Sequence, residues 1–181
     1  MNEWPCARLI EIKFAMSDWR PLVKTGFLYL RPTELIAFRA RGPYGTAAPD
    51  AWERMFRWMG QHGLRGVVNR GYGMAHDDPR VVPAENCRYD ACIEVQRHLP
   101  PGATDQLVRT TLPGGPYARY RFTGPHTELG KVARRLRDEW TGRHGLAIAN
   151  DRPMVEVYLD DPATCEPRRL RTDICMPVAF G

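Results

Sequence analysis

The sequence predicts an α+β protein. It reads as tandem pseudo-two-fold β-α-β-β repeats, with antiparallel sheets, helices on one side and a central ligand cleft. Three observations predict this. Four landmarks recur in the same order: "FRARGPYG", "WMGQHGL", "DDP" and "RYDAC", then "YRFTGPHT", "EWTGRHGL", "DDP" and "RTDIC". An ordered internal repeat of this length marks a duplicated structural unit. Each copy opens on an alternating, β-rich run that ends in Gly-Pro. A stretch with helical apolar spacing then follows in each copy.

The offset between copies is 82 residues at Gly42-Pro43 and Gly124-Pro125, and again at His62 and His144. It is 83 residues at Asp77 and Asp160, so one residue has been inserted. The copies span about residues 33–96 and 115–178. "ELIAFRA" and "PYARYRF" read as the first strand of each copy. In the first helix, Pro49 and Asp50 read as first-turn residues, and Trp52, Met55, Phe56 and Met59 share a face. In the second, Thr127 reads as the N-cap, and Leu129, Val132, Ala133, Leu136 and Trp140 form one stripe. Two strands follow in each copy, at about 66–75 and 88–96, then 152–159 and 169–178. Asp-Asp-Pro punctuates the hairpin between them, because Asp favours turns and Pro cannot continue a ladder. "GFLYLRP" reads as the start of the opening strand, bent at Pro32. Pro100-Pro101-Gly102 and Pro113-Gly114-Gly115 bracket the link between copies. The expected layout has two three-stranded units side by side. Each carries a helix on one sheet face, and the other faces border a groove.

The chain has 181 residues, enough for one domain with a sizeable core. We assign residues 26–181 to a single two-repeat domain and leave 1–25 as an N-terminal extension. There, "LIEIKFAM" reads equally as an extra strand or a mobile arm. No apolar run approaches a membrane span, and no signal-peptide pattern opens the chain. Five Cys, an odd number with no C-x-x-C, argue against a disulfide framework and for a cytoplasmic location. Cys and His show no zinc-ligand spacing. No metal or cofactor is expected. The net charge of +5 raises nucleic-acid binding. But the Arg residues are scattered, the densest run "ARRLRDEW" is broken by acids, and a solvated helix face is the better reading.

Alternation assigns the groove residues. In 152–159, Val155, Val157 and Leu159 are expected to face the helix. Met154, Glu156 and Tyr158 are expected to face the groove. Glu156 is either an exposed, solvated carboxylate or a partly buried anion in an apolar pocket. Across the 83-residue offset, Met154, Glu156 and Tyr158 align with Gly71, Gly73 and Ala75. One half would supply groups while Gly71 and Gly73 leave room for a ligand, unless they mark a local bulge. Asp173 and its mate Asp90 either face the groove or bond local backbone N–H groups. Tyr44, Trp52, Trp58, Tyr89, Tyr117, Trp140 and Tyr158 are the aromatic candidates, about half of them structural. A carboxylate among rings suits a cationic or amphipathic organic ligand.

"RARGPYG", "EWTGRHGL", "RPMVEVYLDDP" and "RLRTDICMPV" resemble the GyrI-like small-molecule-binding family. This family includes the gyrase inhibitory protein and effector-binding domains of AraC- and MerR-type regulators. The resemblance implies an apolar cleft with an acid for aromatic or cationic compounds, matched here by Glu156. In the last stretch Asp173 stands where the family often has Glu, and His126 stands where the first copy has Tyr44. Regulators of the family carry a DNA-binding domain ahead of the cleft, and the first 25 residues here are far too short for one, so direct DNA binding is not expected unless a partner supplies it. Three functions follow from the resemblance: a binding protein for drug or toxin protection, a hydrolase of cyclopropane-containing natural products, and an inhibitor of a DNA enzyme that acts through a protein partner. For the hydrolase, Glu156 would be the base and Tyr158 or Trp140 would position the substrate.

Overall fold

The computed structural model describes residues 25–65, 68, 70–94, 106–140 and 146–180. Residues 1–24 of the N-terminal extension, the Pro100-Pro101-Gly102 turn and His144 lie outside the described residues. Within them the chain is α+β. The strands are β1 (Thr25–Leu30), β2 (Thr33–Arg41), β3 (Gly71–Ala75), β4 (Arg88–Glu94), β5 (Val108–Leu112), β6 (Gly115–Thr123), β7 (Leu146–Ile148), β8 (Met154–Tyr158) and β9 (Arg171–Phe180). Helix α1 spans Tyr44–Gln61 and helix α2 spans Leu129–Trp140. The two units are therefore β2-α1-β3-β4 and β6-α2-β8-β9.

The units do not form two separate sheets. All strand pairs are antiparallel, in the order β1-β6-β9-β8-β3-β4-β2-β5, with β7 on β9. β3 and β8 join the halves, from Gly71 opposite Tyr158 to Ala75 opposite Met154. Gly73 lies opposite Glu156, its own mate in the repeat. The pseudo-two-fold axis thus passes through this pair.

β1 and β2 are flanks of one bent strand. Only Arg31 and Pro32 separate them, and β5 and β6 are separated only by Pro113 and Gly114. The register of Leu30 with Gly115 continues as Thr33 with Leu112. This long ribbon bends where Pro32 packs against Gly114, which has no room for a Cβ. The sheet must therefore curl. Leu35, Tyr72, Met74, Tyr117, Val155, Val157 and Cys175 pack together on its inner face. The helices cover the outer face, α1 over Ile36, Phe38 and Ile93, and α2 over Ala118, Ile174, Met176 and Val178.

This corrects the expected layout. Val155 and Val157 face the enclosed inner core, not a helix, and the helices share a face with Met154, Glu156 and Tyr158. Helix starts also move. α1 begins directly after Pro43, so Pro49 lies inside it. Thr127 lies in a 3-10 turn, His126–Glu128, that leads into α2. In both copies Gly-Pro sets the start, and Gly42 has a φ of 133°, a conformation that favours glycine. β5 and β7 were not anticipated.

The repeat extends to individual bonds. Gly42 N–H donates to Cys87 O and Gly124 N–H to Leu170 O. Asp77 accepts from the backbone N–H and guanidinium of Arg88, as Asp160 does from Arg171. Arg39 makes a bidentate pair with Asp90, as Arg121 does with Asp173. Asp-Asp-Pro is hairpin punctuation in both copies: its first Asp ties the two ends of the hairpin together.

Candidate functional site: a cleft between the two helices

A cleft of about 1120 Å³ lies between α1 and α2 on the outer sheet face. That exceeds the ~300–1,000 Å³ usual for small-molecule sites. Its floor is made by β3, β4 and β8, including Gly71, Ala75, Tyr89, Met154, Glu156 and Tyr158. Trp52 and Phe56 on α1 and His126 at the start of the second helical segment contribute rings.

Glu156 sits at the centre of the floor and is 6% exposed. The hydroxyls of Tyr89 and Tyr158 donate to its Oε2 at 2.8 and 2.6 Å. The two hydroxyls are 3.0 Å apart, and Trp52 Nε1 donates to the Tyr89 hydroxyl at 3.1 Å. Tyr89 comes from the first repeat and Tyr158 from the second, so the carboxylate is held jointly. Among the described residues no group donates to Oε1. Burial pushes the Glu156 pKa up, and the two phenol donors oppose this only in part. Burial also pushes both phenols well up, so they stay protonated donors. Trp52 and His126 each meet the Tyr158 ring edge-on at 4.9 Å. Burial lowers the His126 pKa, with Asp160 working against it, so the imidazole is neutral at pH 7.

Of the residues singled out in the sequence, Glu156, Met154, Tyr158, Tyr89, Tyr44 and Gly71 line the cleft. Tyr44 also braces the first Asp-Asp-Pro loop: its hydroxyl donates to Asp77 O and accepts from Asp77 N. Gly73 and Gly71 leave room for the protein itself rather than for a ligand. A Cβ on Gly73 would lie 2.1 Å from the Tyr89 hydroxyl and 2.7 Å from Glu156 Oε2. On Gly71 it would lie 2.7 Å from the Trp52 ring. Asp173 is elsewhere. It shares the inner face with Val157 and Cys175 and pairs with Arg121, so neither sequence reading of it holds. Trp140 is 2% exposed in the core under α2 and meets Phe27 edge-on. Trp58, its mate across the repeat, is buried under α1 in the same way. Tyr117 belongs to the inner core.

Sequence reasoning undervalued Trp52 and missed Phe56, Lys131 and Arg134 at the cleft. The repeat holds the signal. Trp58 and Trp140 are mates and therefore scaffold, whereas Trp52 aligns with Arg134 and is specific to one copy. Among the described residues, no cluster of His, Cys, Asp and Glu could hold a metal ion. No described helix is long and apolar enough to cross a membrane.

Comparison with known proteins places this geometry. The family model of the GyrI-like small molecule binding domain matches residues 25–179. The chain belongs to that family. It is 28% identical over 126 residues to a DNA gyrase inhibitor of Erwinia billingiae, covering 68% of this chain and 78% of the relative. Three solved structures share the fold at low identity. The EcmrR C-terminal domain has a TM-score of 0.64 at 13% identity, covering 87% of this chain and 98% of that one. A hydrolase from Listeria innocua has a TM-score of 0.54 at 16% identity, covering 94% and 97%. SAV2435 bound to tetraphenylphosphonium has a TM-score of 0.53 at 14% identity, covering 86% and 94%. The GyrI-like family supports small-molecule binding as the general role.

Proposed function

We propose that the cleft captures amphipathic aromatic cations, with Glu156 as counter-charge, in a role such as drug or toxin protection. The observation that carries this reading is the Glu156 carboxylate. It is nearly buried, both its phenol bonds fall on Oε2, and Oε1 is without a donor among the described residues. A cation placed there would satisfy Oε1 in a low-dielectric site, where the attraction is far stronger than in water. The rings of Trp52, Tyr158 and Phe56 add stacking and cation–π contact. SAV2435, a protein of this fold, binds tetraphenylphosphonium, which supports the same ligand class here.

Tetraphenylphosphonium is the direct probe. At a hundredfold excess over Kd it should stabilise the chain by about 2.7 kcal/mol. Glu156→Gln should bind it at least tenfold more weakly with an unchanged circular dichroism spectrum. Equal binding by the variant, or no shift with any aromatic cation, would sink the proposal. A hydrolytic version uses Glu156 as base and Tyr158 to position the substrate. Its mark is a product heavier by one water from a cyclopropane-bearing aromatic compound, absent with Glu156→Gln. A second reading, inhibition of DNA gyrase through a surface, draws on the names of the relatives. Inhibition of gyrase supercoiling that survives Glu156→Gln would favour it.

A further inference from the structure

We propose that the preferred ligand is a zwitterion: a flat aromatic cation that also carries a carboxylate or phosphate, recognised by Lys131 and Arg134. This rests on the binding reading above and specifies its ligand class.

The two long walls of the cleft are equivalent helix positions in the two copies. On α1 they carry Pro49 and Trp52, and on α2, 82 residues later, Lys131 and Arg134. One wall is apolar and aromatic, and the other is cationic. Neither Lys131 nor Arg134 has an acidic partner among the described residues, and both are exposed along the cleft. Most of the other charges at the rim are accounted for; Arg70, just before β3, is a further exposed cation without an acidic partner among the described residues. Asp77 pairs with Arg88 and Asp160 with Arg171. Asp78 is shared by Arg80 and Arg137, and Asp161 Oδ1 accepts from Ala163 N–H. Arg65 reaches back to Phe56 O. The cleft therefore has an anion on its floor, rings along one side and two unmatched cations along the other. A simple cation satisfies the floor but meets repulsion at the α2 wall. A molecule with both charges satisfies floor and wall together, and its rings lie against Trp52.

Rhodamine B and its ethyl ester test this, because they share a cationic ring system and differ in one carboxylate. Fluorescence polarisation should show the acid bound about tenfold more tightly than the ester. The ratio should fall as salt screens the wall. In Lys131→Gln/Arg134→Gln the ratio should drop towards one, chiefly through weaker binding of the acid. The charge-keeping pair Lys131→Arg/Arg134→Lys should restore it. A wild type that binds the ester as well as the acid overturns the zwitterion proposal and leaves cation binding standing. So does a preference that survives the Gln pair. If neither dye binds the wild type, the cleft reading and this inference fall together.

Discussion

Gly73→Ala tests the architecture of the site most directly. No described side chain at the cleft is changed, and the backbone at Gly73 is not in the left-handed region. The new methyl would lie 2.1 Å from the Tyr89 hydroxyl and 2.7 Å from Glu156 Oε2. Tyr89 cannot swing clear without cost. It is 2% exposed and bonded to Trp52, Glu156 and Tyr158. Forcing a methylene-sized group into a packed core costs about 1–3 kcal/mol. Breaking the hydrogen bond to the carboxylate adds about 1.5–3 kcal/mol. Restricting the unfolded chain returns about 0.4–1 kcal/mol. The net expectation is a loss of about 1.5–5.5 kcal/mol. For a chain of this size that lowers Tm by about 3–20 °C. Urea unfolding and calorimetry read this, with Gly45→Ala as control, since nothing lies within 4 Å of a Cβ there. Adding Tyr89→Phe should recover part of the loss, because it removes the closest atom, and the cycle should be non-additive. A Gly73→Ala protein within 0.5 kcal/mol of wild type with full tetraphenylphosphonium affinity would refute the packing described here; that threshold is about the error of such sums.

Three further outcomes follow from the same geometry. Burial raises the Glu156 pKa above its ordinary 4.5, so the folded state holds that proton more tightly than the unfolded chain. This contribution to stability is present at low pH and is lost as pH rises through the folded pKa. Cation affinity should rise over the same window, and titrations of Glu156→Gln should show neither change. Asp90 is fully buried, with Arg39 and His76 on its two oxygens. Asp90→Asn should therefore cost about 1.5–3 kcal/mol in urea unfolding, the worth of hydrogen bonds to a charged group, since Arg39 is 38% exposed and stays solvated. Asp173→Asn should cost less, because Asp173 is 9% exposed at its side chain and Arg121 is 46% exposed. Trp140→Phe should lower stability by about 1–3 kcal/mol and leave ligand affinity unchanged. Trp52→Phe should do the reverse, raising Kd several-fold by titration. Loss of affinity in Trp140→Phe alone would return that residue to the site.

The duplication, the hairpin role of Asp-Asp-Pro and the grouping of Met154, Glu156 and Tyr158 on one strand face were legible in the sequence. The side of the sheet was not. Alternation separates two faces but cannot say which one a helix covers. Here it misleads, because the curled sheet buries both. Val155 and Val157 look like residues awaiting a helix, and they pack instead against Tyr72, Met74 and Cys175 across the enclosed core. The curl comes from the continuous register between β1–β2 and β5–β6. That is a long-range pairing, and no local pattern announces it. Asp173 was opaque for a related reason: its partner, Arg121, lies on a neighbouring strand 52 residues earlier.

The asymmetry at the floor then has a physical cause. Gly73 and Glu156 are the same position in the two copies, and the antiparallel pairing of β3 with β8 sets them opposite each other across the pseudo-two-fold axis. A faithful repeat would bring two buried carboxylates together there, and like charges at such range cannot both ionise. It would also leave no room for Tyr89 to reach Oε2, since even a methyl at Gly73 meets its hydroxyl. A single ionised acid on this axis requires the other copy to give up its side chain. The same break lets each repeat send one phenol to the remaining carboxylate. The duplicated scaffold brings the two halves together on the axis, and the loss of symmetry there makes room for one buried charge held from both sides.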